Sequence, residues 1–146
     1  MLNVIIGEKG TGKTAKLLEA VKVALESATG SVVFINKGQR HVLDLSHQVR
    51  LVDTDDYKVT TYDEFYGFIC GILSQNYDIA HIFVDSITKI VNDTNENFEK
   101  FLERINTVAN ECNAEIQIIL SMNPNDASAG VKKFVKLKID NKPPFP

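Results

Sequence analysis

Residues 7–14 read Gly7-Glu8-Lys9-Gly10-Thr11-Gly12-Lys13-Thr14, a glycine followed after four residues by Gly-Lys-Thr. This pattern is suited to holding a polyphosphate. Glycines let the backbone curl until successive N–H groups point inward at phosphate oxygens, and a helix opening at the loop adds the partial positive charge of its N-terminus. Lys13 is the residue to reach the β- and γ-phosphates. Thr14 offers its hydroxyl to a magnesium ion that bridges the same oxygens and offsets their charge. The ligand expected for residues 7–14 is therefore ATP, with GTP second, together with Mg2+.

Magnesium also needs a carboxylate at the end of an apolar strand near the loop, to orient its water shell. Asp85 follows Ile82-Phe83-Val84 and meets that requirement. Asp53, after Arg50-Leu51-Val52, is the rival, but its run is shorter and less apolar. A second apolar run further on, Ala114 to Leu120, leads into Ser121-Met122-Asn123-Pro124.

On Gly7 to Thr14, Asp85 and the polar strand end at Ser121 and Asn123, the sequence resembles the P-loop NTPases, and within them the branch that holds RecA-like and pilus-retraction (twitching-motility) ATPases. The resemblance implies an ATP-binding hydrolase fold in which the strand after the aspartate strand lies beside the phosphate-loop strand. A polar residue at that strand's tip would sense the γ-phosphate, and Asn123, ahead of Ser121, is its counterpart. With Lys13 and Asp85, Asn123 completes the catalytic set that the resemblance implies. Some dimeric ATPases carry a further loop lysine directly after the first glycine, reaching into the partner's site. Here Glu8 holds that place, so Lys9 is not that signature.

The sequence also departs from the branch. The glutamate that polarises the attacking water, next to the magnesium aspartate or at the end of the second strand, is replaced by Ser86 and by Asn36-Lys37-Gly38-Gln39. No arginine follows Arg104, and a well-placed arginine contributes roughly 10³–10⁵ in rate in phosphoryl transfer. Hydrolysis is thus expected to be slow by itself or to depend on a protein partner or a second copy of the chain, which suits a nucleotide-dependent switch. A small-molecule kinase is the runner-up, although only Arg40, Arg50 and Arg104 are present and no lid module is visible. A non-catalytic interaction module that uses nucleotide for folding is a further alternative. A GTPase fits poorly, since Asn36-Lys37-Gly38-Gln39 lacks the aspartate of a guanine-reading element and Asp85-Ser86-Ile87-Thr88 lacks a switch glycine.

The elements that must position these residues follow from periodicity. Leu2 to Ile6 is a β-branched run that suits a buried strand, and Leu17, Leu18, Val21, Ala24, Leu25 and Ala28 recur at helical spacing before Gly30. Ser31 to Ile35 is a second strand, and Val49 to Val52 is a short one suited to an edge. Thr61 and Glu64 have the spacing of a capping box, so a helix should begin near Tyr62, with Gly67 and Gly71 inside it packed closely against the sheet. Ile79 to Val84 is a strand, and Phe98, Phe101, Leu102, Ile105, Val108, Ala109 and Cys112 form the clearest helical stripe. Residues 125–131 read as a loop, and Phe134 to Ile139 alternates lysine with apolar residues as a half-exposed strand does.

Strands separated by helices imply an α/β fold: a three-layer αβα sandwich on a mostly parallel sheet of about five or six strands. At 146 residues, one nucleotide-binding domain over 1–141 and an irregular Pro-rich tail over 142–146 are expected. The 44% apolar and 24% charged composition is that of ordinary globular chains, and no run approaches a membrane span. The opening residues lack the features of a targeting peptide, which suggests the cytoplasm. A net charge of −3 offers no general attraction to nucleic acid, and Lys132, Lys133, Lys136, Lys138 and Lys142 read first as protection of an exposed edge strand. Cys70 and Cys112 read as buried thiols. His41, His47 and His81 lack metal-ligand spacing, and Asp53, Asp55 and Asp56 read as a solvated turn.

Overall fold

A computed structural model describes residues 1–27, 29–38 and 45–139. The expected domain boundary at 141 and Lys142 lie outside them, as do Ala28, Gln39, Arg40 and His41. Six strands are described: β1 (Leu2–Gly7), β2 (Ser31–Asn36), β3 (Val49–Asp53), β4 (Ile79–Val84), β5 (Glu115–Ser121) and β6 (Val135–Ile139). They form one sheet in the order β3-β2-β4-β5-β1-β6, with every pair parallel. Helices α1 (Lys13–Ser27), α2 (Tyr62–Gln75), α3 (Ile87–Ile90), α4 (Asn95–Glu111) and α5 (Ala129–Lys132) connect them.

A parallel sheet must bury both faces, and the two apolar sides of its strands do so against different helices. Ile5, Phe34, Phe83 and Ile119 meet Leu17, Val21 and Ala24 of α1 on one face. Val4, Ile6, Val33, Ile35, Ile82, Val84, Ile116 and Ile118 meet α2 and α4 on the other. The chain is thus the αβα sandwich that its alternating pattern predicts.

Local signals set several of the boundaries. The Thr61 hydroxyl accepts from the Glu64 N–H, and the Glu64 carboxylate reaches back to the Thr61 N–H, the reciprocal pairing of a capping box. Hydrogen bonds from Thr60 and Thr61 hold the Glu64 carboxyl below its ordinary range. Asn113 takes a φ of +54° just beyond α4, a conformation that asparagine tolerates better than most residues. β3 and β6 are the two edges of the sheet, and Lys136 and Lys138 point outward from β6, consistent with edge protection.

Three local expectations are corrected. Gly67 and Gly71 do not pack against the sheet: both are exposed, and a Cβ at either would meet nothing within 4 Å. Gly67→Ala and Gly71→Ala should therefore each stabilise the fold by roughly 0.5–1 kcal/mol through helix propensity alone. A loss of stability in urea titration would show that this face of α2 does not tolerate a methyl group.

Cys70 is half-buried and Cys112 is exposed. The apolar stripe of α4 runs off the helix end, so Cys112 becomes its C-cap, with the N–H bonded to the Val108 carbonyl. Residues 125–131 are not a plain loop. The Asn123 side chain accepts from the Asn125 N–H to start a 3₁₀ turn at Pro124–Asp126, and α5 follows.

Of the histidines, His47 is exposed, whereas His81 stacks on Phe83 with ring centroids 5.8 Å apart. Burial pushes the His81 imidazole below its usual range.

Candidate nucleotide site

Parallel strands deliver all their C-terminal ends to one edge of the sheet, and the residues singled out above meet there. Gly7 ends β1, Asp85 follows β4 and Ser121 ends β5, with β5 lying between the other two. The Met122 N–H donates to the Gly7 carbonyl at 3.0 Å, tying the end of β5 to the start of the loop. Between β1 and α1 the chain turns through Gly10 and Gly12 at φ values of +84° and +88°. These angles favour glycine over residues with a Cβ and let the loop curl over the start of the helix.

Lys13 opens α1 with only 6% of its surface exposed. Its Nζ donates to the Glu8 carbonyl at 2.6 Å, and the Thr11 hydroxyl donates to the same oxygen at 2.7 Å. Burial lowers the Lys13 pKa below 10.5, and the nearby Asp85 carboxylate partly offsets this. A buried ammonium held on a loop carbonyl is matched to an incoming anion that restores its preferred charged state.

Thr14 donates its hydroxyl toward Asp85 Oδ1 at 3.4 Å. The Ser86 hydroxyl donates to the same oxygen at 3.1 Å, and the Asp85 N–H continues the ladder to the Ile35 carbonyl at 3.0 Å. A hydroxyl and a carboxylate oxygen converging from two elements are hard oxygen donors of the kind magnesium accepts. Ser86 sits in left-handed backbone at φ +56° although it is not glycine. That conformation is uncommon and concentrates at functional sites.

Around this junction lies a cleft of about 400 Å³, lined by Lys9, Gly10, Gly12, Lys13 and Thr14 together with Ser86, Thr88, Lys89, Ile119 and Ser121. Its volume is within the range of small-molecule sites, roughly 300–1,000 Å³. Of the two candidates at the tip of β5, Ser121 lines the cleft, whereas the Asn123 side chain caps the turn that follows.

Asp53 lies away from the loop. It ends edge strand β3, and its Oδ1 accepts from the N–H groups of Gly38 and Asp55 at 2.7 and 2.9 Å. Lys37 pairs with Asp55 at 3.1 Å, so the described part of the segment that begins Asn36-Lys37 is folded onto β3. Arg104 is committed to the outer face of α4, where it bonds Asp63 at 3.0 Å and lies 3.7 Å from the centre of the Tyr66 ring.

Thr88, Lys89 and Ile119 were not singled out from the sequence. The available signal was position: Lys89 is four residues beyond Asp85, about one helical turn past the strand end. A larger cavity of about 500 Å³ lies at the opposite end of the sheet, between α2 and α4, where Cys70, Leu73, Tyr77, Ile79 and Cys112 give it a mainly apolar lining. Among the described residues no cluster of three or more His, Cys, Asp or Glu side chains could hold a metal, and no helix is long and apolar enough to cross a membrane.

No family model matches the sequence, and no curated protein matches it. The structure is similar to that of the flagellar accessory protein FlaH from Methanocaldococcus jannaschii, with a TM-score of 0.52 and 18% identity over 90% of this chain. The chain covers 65% of the FlaH chain, so it is similar to part of a longer protein. At this identity the likeness concerns the fold alone.

Proposed function

We propose that the chain binds magnesium–ATP in this cleft and acts as a nucleotide-dependent switch, with hydrolysis that is weak or stimulated by a partner. The observation that carries the reading is the junction of buried Lys13 with the Thr14 hydroxyl, which lies 3.4 Å from Asp85. In it, the loop N–H groups and Lys13 would hold the terminal phosphates, while Thr14 and Asp85 would hold the magnesium that offsets their charge. Bound magnesium would draw charge from the γ-phosphate. Asn123 and Ser121 are the candidates to sense that group, and the position of Ser121 on the cleft wall favours it.

Slow intrinsic turnover is supported by what adjoins Asp85. Ser86 and the buried Asn36 stand where a general base is required, and neither side chain titrates near neutral pH. Arg104 is engaged elsewhere. A protein partner or second copy would supply the missing groups, and a cytoplasmic setting, where ATP and magnesium are abundant, fits the proposal. The kinship to pilus-retraction ATPases belongs to this reading too, and it rests on the loop, Asp85 and the tip of β5.

The test is a thermal titration with ATP, ADP and GTP, with and without magnesium, followed by phosphate release in the same samples. Ligand at about 100 times its dissociation constant should add about 2.7 kcal/mol of stability. Asp85→Asn keeps the shape of the side chain and removes its charge, so it should weaken magnesium affinity roughly 10–100-fold. ATP binding in EDTA should be left near wild type. No shift with any nucleotide would sink the proposal. Transfer of the γ-phosphate to a metabolite would point to a kinase, and nucleotide-dependent stability without any turnover, even with partners, would point to an interaction module.

A further inference from the structure

The cleft gathers three lysines, Lys9 and Lys13 from the loop and Lys89 from α3, in a chain whose net charge is −3. Lys9 and Lys13 belong to the phosphate loop itself. Lys89 does not: it lies on α3, the turn of helix that follows Asp85 and the left-handed Ser86. It is exposed, and among the described residues it makes no ion pair.

We propose that Lys89 is a specificity-determining residue that contacts the terminal phosphate of the nucleotide and makes the site favour a triphosphate over a diphosphate. The inference rests on the cleft being a nucleotide site. Thr14 and Asp85 are the residues that would hold magnesium against the terminal phosphates, and Lys89, four residues beyond Asp85, lines the same cleft as Lys13 and Thr14, so its ammonium would be within reach of that end of a triphosphate. The arginines leave that end without a guanidinium from the described chain, because Arg104 is bound to Asp63 of α2 and Arg50 lies on edge strand β3. Among the described residues outside the loop, Lys89 is the cation that lines the cleft. A flexible ammonium of this kind donates to phosphate oxygens as a point charge and needs no fixed fork geometry.

The experiment measures ATP and ADP affinities, both with magnesium, for the wild type, Lys89→Ala and Lys89→Arg, together with the melting temperature of each nucleotide-free protein. Lys89→Ala should weaken ATP roughly tenfold and leave ADP within about twofold, since the lost contact is to a charged group that only ATP carries. Lys89→Arg should retain most of the preference for ATP, and the melting temperatures without nucleotide should coincide, because the side chain is exposed. Equal weakening of both nucleotides would overturn the inference by making Lys89 part of a general positive field, and so would unchanged affinity for both. A wild-type protein that binds neither nucleotide would instead remove the underlying reading of the cleft and this inference with it.

Discussion

Lys13→Ala should weaken magnesium–ATP binding by about 2–5 kcal/mol, roughly 30- to 5,000-fold, while the nucleotide-free protein melts close to wild type. The asymmetry follows from what Lys13 does in each state. In the proposed bound state it would be a buried cation on phosphate oxygens, and truncation would leave that anionic charge without its partner. In the free state its ammonium is already desolvated and donates to the Glu8 carbonyl, an oxygen that the Thr11 hydroxyl also reaches. Losing one such bond costs about 1 kcal/mol, and alanine at the start of α1 favours the helix.

Because burial lowers the Lys13 pKa below 10.5, part of the free protein is deprotonated there at alkaline pH. Phosphate favours the charged form, so binding should take up protons, and affinity should fall as the pH rises through the Lys13 pKa of the bound state. Calorimetry at alkaline pH in two buffers of different ionisation heat measures that uptake. If Lys13→Ala bound ATP as tightly as wild type, the loop would not be holding phosphate.

Phe101→Ala should cost about 3–5 kcal/mol of folding stability and lower the melting temperature by roughly 10 °C or more. Phe101 is buried where α4 meets α2. Its ring lies 5.2 Å from that of Tyr62 and 5.6 Å from that of Phe65, nearly parallel to the latter at 11°. Removing it opens a cavity among side chains that cannot collapse independently, because Phe98 and Tyr62 already touch at 5.1 Å.

The same layer explains the Tyr62 phenol, whose pKa is pushed up to about 12 by burial and by the Asp93 carboxylate. The layer lies on the α2–α4 side and supplies none of the residues lining the cleft, so ATP affinity at a temperature where the variant is folded should be unchanged. Chemical denaturation showing a loss below about 1 kcal/mol would mean that the ring does not fill its surroundings.

What the sequence determined by itself is what short spacing encodes. Gly7 to Thr14 could be read as a phosphate loop because the requirement for glycines, a lysine and a hydroxyl lies within eight consecutive residues, flanked by β1 and α1. The capping box at Thr61 and Glu64, the stripe of α4 and the aspartate after β4 were legible for the same reason, and alternating strands and helices sufficed for a parallel α/β sheet.

Tertiary structure decided which of these pieces are neighbours. Crossover connections set the order β3-β2-β4-β5-β1-β6, and no local pattern records it. That order brings Asp85 rather than Asp53 to Thr14 and places Lys89, which has no motif of its own, in the same cleft as Lys13, while the turn that Asn123 caps leaves Ser121 to line that cleft. Similarly, periodicity placed Gly67, Gly71 and Cys112 on helices but not against neighbours. Exposure depends on what packs on each face: a Cβ at Gly67 or Gly71 would meet nothing within 4 Å, and Cys112 is exposed at the end of α4.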